Sequence, residues 1–179
     1  MDKNPDSFQW LILFILQAIG LILLSQLNQS LASLSLFLFI NGLFLAFPAL
    51  YLPIGQGIGL VFLFSIFYDS GESWSIGTSL IPNLVVFTIV FYLRNRINHD
   101  RREIIKPVVL LINLLLFLYY TVLAGLRFEV NSQFVFLNLT HLLVSQIILF
   151  IVSGWLISYH KSILLIFNID TEATLRASK

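Results

Sequence analysis

Asp69 and Glu72 stand three residues apart, a spacing at which two carboxylates can share acid–base work or hold a cation. No third oxygen-rich segment completes such a site. The Ser, Gly and Trp residues around the pair read as a turn at a membrane interface, so backbone capping is the simpler role. The three histidines, His99, His141 and His160, are far apart and lack metal-ligand spacing. Cysteine is absent, which removes disulfides, thiolate metal sites and cysteine nucleophiles together. The chain carries no Gly-rich phosphate loop, no His-Glu-x-x-His helix and no Gly-x-Ser-x-Gly elbow. No catalytic residue, metal or cofactor is expected, and the chain should act by binding rather than by turnover.

The elements that must position these groups are membrane helices. Of 179 residues, 58% are hydrophobic and 11% charged, against ~25% charged in a soluble domain. Seventeen Phe outnumber the nine acidic residues. A water-soluble fold could not cover such a core, and a net charge of +1 offers no concentrated basic face for nucleic acid. A bilayer core of ~30 Å needs ~20 apolar residues per helix. Six segments qualify, at about 8–27, 31–52, 53–69, 80–93, 107–126 and 134–159, the third short and Gly-rich. They predict an all-α integral membrane protein with one polytopic domain over 1–179. Ser30, Leu31 and Ala32 fit a small-x-small cleavage site. The segment before them is long, however, and its start (Asp2, Lys3, Asp6) is not clearly basic, so the first helix is expected to stay.

Orientation follows from Lys and Arg in the short loops. With the N-terminus cytoplasmic, Lys3, Arg94, Arg96, Arg101, Arg102, Lys106, Lys161, Arg176 and Lys179 lie inside and Arg127 alone lies outside. Both termini are then cytoplasmic, as are the basic loop 94–106 and the tail 160–179. That loop reads as a solvated, topology-fixing segment near anionic headgroups, or as a docking site for a cytoplasmic partner. The end of the chain, 163–179, carries a weak signal for an amphipathic surface helix.

Polar residues inside apolar runs must find partners in protein, because hydrocarbon offers none. Asn138, His141, Ser145 and Ser153 fall on one side of the sixth segment at helical spacing, with Gln146 at the margin. This stripe should face protein, through interhelical hydrogen bonds or, more sharply, as a ligand or proton site centred on His141. Gln9, Gln17, Asn41, Asn83 and Asn113 are scattered one or two per span and read as helix glue.

Small residues should mark close approach between helices. Gly55, Gly57 and Gly59 crowd the start of the third segment, while Gly71 and Gly77 bracket its exit. With Pro48, Pro53 and Pro82 nearby, 48–82 reads as an irregular, tightly packed element. Gly59 is expected to sit against a neighbouring backbone. Asp69 ends an apolar run, so it should lie at the outer interface beside Tyr68 and Trp74 and cap the 70–77 turn.

The stretch from Gly57 to Gly77 resembles the third-helix region of the bacterial rod-shape-determining membrane protein family MreD. Members carry glycines on an apolar helix, an Asp at its end, a small-residue turn, and a Gly eight residues after the Asp. Here Gly59, Asp69 and Gly77 match that spacing, and an apolar segment follows at 80–93. The chain departs in having Ser65 where members usually have Gly, and it lacks a Pro-Asp or Pro-Asn opening the second span. The motif covers 21 of 179 residues; the rest is similar only in hydropathy and span number.

The resemblance implies a non-enzymatic component of the peptidoglycan-elongation machinery in the bacterial inner (cytoplasmic) membrane. Its implied partners are membrane lipids, an MreC-like bitopic scaffold, actin-like MreB and wall-synthase membrane proteins. The family's fold is similar to the substrate-capture subunits of energy-coupling-factor transporters. A vitamin- or metal-binding membrane subunit is therefore the alternative expectation. A small secondary transporter is the third, disfavoured because His141 is the only ionisable residue well inside a span.

Overall fold

The computed structural model describes residues 9–71, 75–94 and 102–167. Among them are six α-helices and no strand: α1 (Gln9–Leu31), α2 (Asn41–Tyr51), α3 (Ile54–Gly71), α4 (Leu80–Leu93), α5 (Arg102–Arg127) and α6 (Ser132–Ile166). Four stretches, Gln9–Leu34, Ile54–Gly71, Ile105–Arg127 and Ser132–Ile166, are long and apolar enough to cross a membrane. That makes the chain compatible with a multi-pass membrane protein. The other two helices, α2 and α4, have 11 and 14 residues.

Successive helices run in alternate directions. Asp69 at the end of α3 meets Gly77 before α4, Tyr119 late in α5 meets Thr78, and His141 early in α6 meets Ser35. Neighbour packing runs α1 to α3, α3 to α4, α4 to α5, α5 to α6 and α6 back to α1. These five helices form a ring, and α2 stands inside it against α3, α4, α5 and α6. The sequence of α2, Asn41 to Tyr51, is apolar on every face after its first two residues, and all eleven residues are buried. A helix apolar all round belongs at the centre of a bundle.

The second segment differs most from expectation. Instead of one helix over 31–52, the chain makes a 3₁₀ turn (Ala32–Leu34), an αL residue at Ser35 (φ 53°) and a non-helical stretch over 36–40 before α2 begins. A run such as Leu36 to Ile40 is equally apolar as helix or strand, so hydropathy alone could not separate the two. The backbone groups that leave the helical ladder are bonded by side chains of α1, α5 and α6 instead.

The expected irregular element at 48–82 is irregular at Leu52–Pro53 and over the 75–79 turn, not throughout. From Ile54 to Gly71 the chain is a continuous α-helix. The breaks flank it. Pro53 disfavours α geometry at the residue before it, and Leu52 is extended (φ −95°, ψ 154°). Helix ends also shift at the basic loop and tail. α5 starts at Arg102, ahead of Pro107, because a proline so near a helix start removes only one early ladder bond. α6 runs on to Ile166, so residues 160–166 are helix rather than tail. Its 35 residues would span about 52 Å at 1.5 Å each, well beyond a ~30 Å core. One face of α6, through Ser145, Leu149, Ser153, Ile157, His160 and Leu164, is buried. Ile147, Phe150, Ile151 and Trp155 point outward.

Candidate binding site

Beside three backbone bonds (Ser35 N–H to Ala32 C=O, Leu36 N–H to Leu31 C=O and Leu43 N–H to Ile40 C=O), side chains of α1, α5 and α6 hold the 35–44 backbone. Asn28 on α1 accepts from Leu38 N–H through Oδ1 (2.8 Å) and donates from Nδ2 to Leu38 C=O (3.0 Å). Phe39 N–H donates to Ser145 Oγ (2.9 Å). Asn113 on α5 donates to Phe39 C=O (2.8 Å) and accepts from Gly42 N–H (3.0 Å). His141 Nε2 lies 3.0 Å from Ser35 C=O. Pro48 has no N–H for the Phe44 carbonyl one turn earlier, and Gln17 Nε2 takes its place as donor at 2.7 Å. Non-helical backbone in an apolar interior is tolerated only where protein satisfies it, and here it is satisfied.

This arrangement leaves a cavity of about 640 Å³ beside the unwound stretch. Its walls are the second half of α1 (Leu21, Leu24, Ser25), residues 37–39 and Asn41, and the end of α3 (Phe67, Tyr68). No Asp, Glu, Lys, Arg or His lines it among the described residues. Asn41, the first residue of α2, is 2% exposed, and its carboxamide makes no hydrogen bond among the described residues.

A second polar cluster joins α3 to α4. Asp69 is 1% exposed, and its Oδ2 accepts from Gly77 N–H (2.7 Å) and Ser79 N–H (3.2 Å). Its other oxygen has no partner among the described residues. Gly77 has φ +97°, which only glycine adopts without strain. Below this turn Ser79 Oγ donates to Ser65 C=O (3.1 Å), and Asn83 Nδ2 donates to Ser65 Oγ (3.0 Å). Ser65, where the family motif has glycine, is thus a buried link between the two helices. Glu72 and Trp74 lie outside the described residues, as do His99, Arg96 and Arg101.

The glycines divide differently from expectation. A Cβ on Gly57 would stand 2.5 Å from the Phe87 ring, so that site is a close approach to α4. Around Gly55, Gly59 and Gly71 nothing lies within 4 Å of an added Cβ. Gly59 therefore packs against no backbone, because its face of α3 points out of the bundle. An equally tight contact, and one against backbone, is one hydropathy did not single out. A Cβ on Gly42 would meet the Asn113 backbone N at 2.5 Å, where α2 crosses α5.

The stripe on α6 splits as well. Ser145 and His141 bond across to 35–39, whereas Asn138 donates to its own helix at Phe134 C=O (2.9 Å). Ser153 is fully buried with no partner for Oγ among the described residues. Gln146 donates to Leu110 C=O on α5 (3.2 Å).

Arg94 is not part of a solvated loop. It is 7% exposed, donates to Leu52 C=O (2.7 Å) and lies 3.9 Å from the Phe91 ring centroid. Burial pulls its guanidinium below the ordinary value by desolvation, and the α2 terminus it caps supplies the compensating negative dipole end. Lys106 sits over Phe150, and Lys161 over Tyr51 at the same end of the bundle. Of Arg102, only the helical backbone is described. Among the described residues no cluster of His, Asp or Glu could hold a metal ion.

Asn28, Gln17 and Gly42 carry structural roles that sequence reasoning did not assign individually. The available signal was residue type at Gln17, whose amide interrupts an apolar run; Asn28 sits in the polar stretch 25–30 and Gly42 follows Asn41. What each one bonds depends on the fold. Comparison of the chain with family models, curated proteins and solved structures finds no match.

Proposed function

We propose that the chain is a non-enzymatic, six-span component of the bacterial inner membrane, of the MreD kind, that serves cell elongation by binding other membrane and scaffold proteins. The observation that carries this reading is the bond between the two motif residues. The Asp69 carboxylate grips Gly77 N–H at 2.7 Å, and Gly77 holds a φ of +97°. In this chain the Asp and the Gly eight residues later form one capped turn, and that turn supports the resemblance.

Length supports the second crossing: the eleven residues of α2 span about 16 Å and the five of 36–40 add at most about 16 Å, near a bilayer core of ~30 Å. The fourteen residues of α4 reach about 21 Å. The bias in basic residues favours cytoplasmic termini. Arg94, Lys106 and Lys161 gather at the end where α2 finishes, while Arg127 ends α5 at the opposite end. Partner contact with an MreC-like scaffold and wall synthases would use the outward faces of α4 and α6.

Two measurements test this. Alkaline phosphatase fused after Asp100 should be inactive, and a fluorescent protein there should be bright; an active phosphatase overturns the topology. Depletion should produce rounded, swollen cells. A nutritional requirement with normal shape would replace the elongation role by that of a transporter's capture subunit.

A further inference from the structure

We propose that the cavity between α1, residues 37–41 and α3 is a binding site for an uncharged, partly apolar small molecule whose carbonyl or amide edge pairs with the Asn41 carboxamide. At about 640 Å³ the cavity lies within the range that holds organic ligands. Leu21, Leu24, Leu38 and Phe67 give it apolar surface for an apolar body, while Gln26, Gln29 and Ser70 line it too and fit a partly polar one.

Asn41 supplies the specific end. The described residues include three other asparagines within the bundle that are engaged with protein across helices or segments. Asn28 holds both backbone groups of Leu38, Asn113 bridges Phe39 and Gly42, and Asn83 reaches Ser65. Asn41 alone among these four has no protein hydrogen bond, although it is 2% exposed and lines the cavity. Its carboxamide, with two donor hydrogens and one acceptor oxygen, is not among the fully enclosed unpartnered groups and opens onto the cavity, where a bound group can pair with it. A lactam or carboxamide edge answers both atoms at once. Asn41 is also the first residue of α2, whose positive dipole end favours a carbonyl oxygen.

The ligand's neutrality follows from the walls. With no ionisable carboxylate, amine, guanidine or imidazole lining the cavity among the described residues, a full charge there would be desolvated without a partner. Occupancy of this cavity is independent of the partner proteins in the cell-elongation reading, so either can fail alone.

The test uses the full chain in lipid nanodiscs and a photo-crosslinking probe: a primary carboxamide carrying an alkyl diazirine and an alkyne. The matching carboxylate probe is the charged control. Saturable labelling should map to peptides covering 21–41 and 67–71, with the carboxylate labelling weakly. Asn41→Leu should reduce labelling about tenfold, the effect of losing one hydrogen-bonded pair. Ser25→Trp, placed on an exposed position of α1, should fill the cavity and abolish labelling without disturbing the core. The proposal is overturned by labelling that spreads over the lipid-facing side of α6, by equal labelling with the carboxylate, or by full labelling of well-folded Ser25→Trp. A size-exclusion profile establishes that each variant is folded.

Discussion

Asn113→Leu is the most direct test of how the bundle tolerates an unwound stretch at its centre. The substitution keeps side-chain size and removes two hydrogen bonds, from Nδ2 to Phe39 C=O (2.8 Å) and from Gly42 N–H to Oδ1 (3.0 Å). Both backbone groups lie outside the regular ladder of α2, and Phe39 and Gly42 are buried. Leaving a buried donor or acceptor unpaired costs about 1–3 kcal/mol, so two give about 2–6 kcal/mol. Hydrogen bonds between membrane helices average nearer ~0.6 kcal/mol, because the unfolded chain in lipid also finds partners. That sets a floor of about 1.2 kcal/mol. These groups have no helical alternative and little room to move, since even a Cβ added at Gly42 would stand 2.5 Å from the Asn113 backbone. The expected loss is therefore about 2–4 kcal/mol. Reversible unfolding of the purified chain in mixed micelles of rising SDS content, followed by far-UV circular dichroism, measures it. Asn138→Leu is the control, because Asn138 bonds only a carbonyl of its own helix; its change should stay within about 0.5 kcal/mol. If Asn113→Leu unfolds within that same margin, side-chain bonding does not hold the 36–42 segment and the account given for it is wrong.

The glycines supply a paired prediction. Gly42→Ala should sharply reduce the yield of folded protein, because its Cβ would meet Asn113 backbone atoms at 2.5–2.6 Å. Gly59→Ala and even Gly59→Leu should be tolerated, since nothing stands within 4 Å; fluorescence-detected size exclusion compares them, and a collapse at Gly59 would restore a packing role there. At the α3–α4 turn, Asp69→Ala removes the acceptor for two N–H groups and should cost about 2–4 kcal/mol in the same unfolding assay. Asp69→Asn keeps an oxygen for them and should cost less than about 1 kcal/mol. Equal damage from both would mean that the charge itself is needed, for a partner or a cation.

Much of the helical architecture was legible because it rests on local properties. Apolar runs around 8–27, 80–93 and 134–159 are helices in the structure, with ends shifted by several residues. Spacing on α6 put Ser145 and Ser153 on one face, and that face is buried, because helical periodicity needs no knowledge of the neighbours. The glycines misled for the opposite reason. A glycine marks close packing only if another element lies over it. Gly57 has Phe87 above it and Gly59, two residues on, has open space. Asp69 was placed at a turn from local signals, yet Ser65 and Asn83 completing the same cluster come from helix faces that only packing brings together.

The sequence by itself determined a chain of apolar helices with few charges, both of which follow from composition and hydropathy. The break inside the second apolar segment was decided only by the tertiary structure. Leu36 to Ile40 could continue a helix as readily as leave one, and the energy difference lies in partners far along the chain. Phe39 N–H meets Ser145 across 106 residues, and Gly42 N–H meets Asn113 across 71. A backbone that abandons its own ladder in an apolar interior is stable only once those side chains are in place. The cavity beside it, and the unpaired amide of Asn41, arise from the same break and were equally beyond what a linear reading could carry.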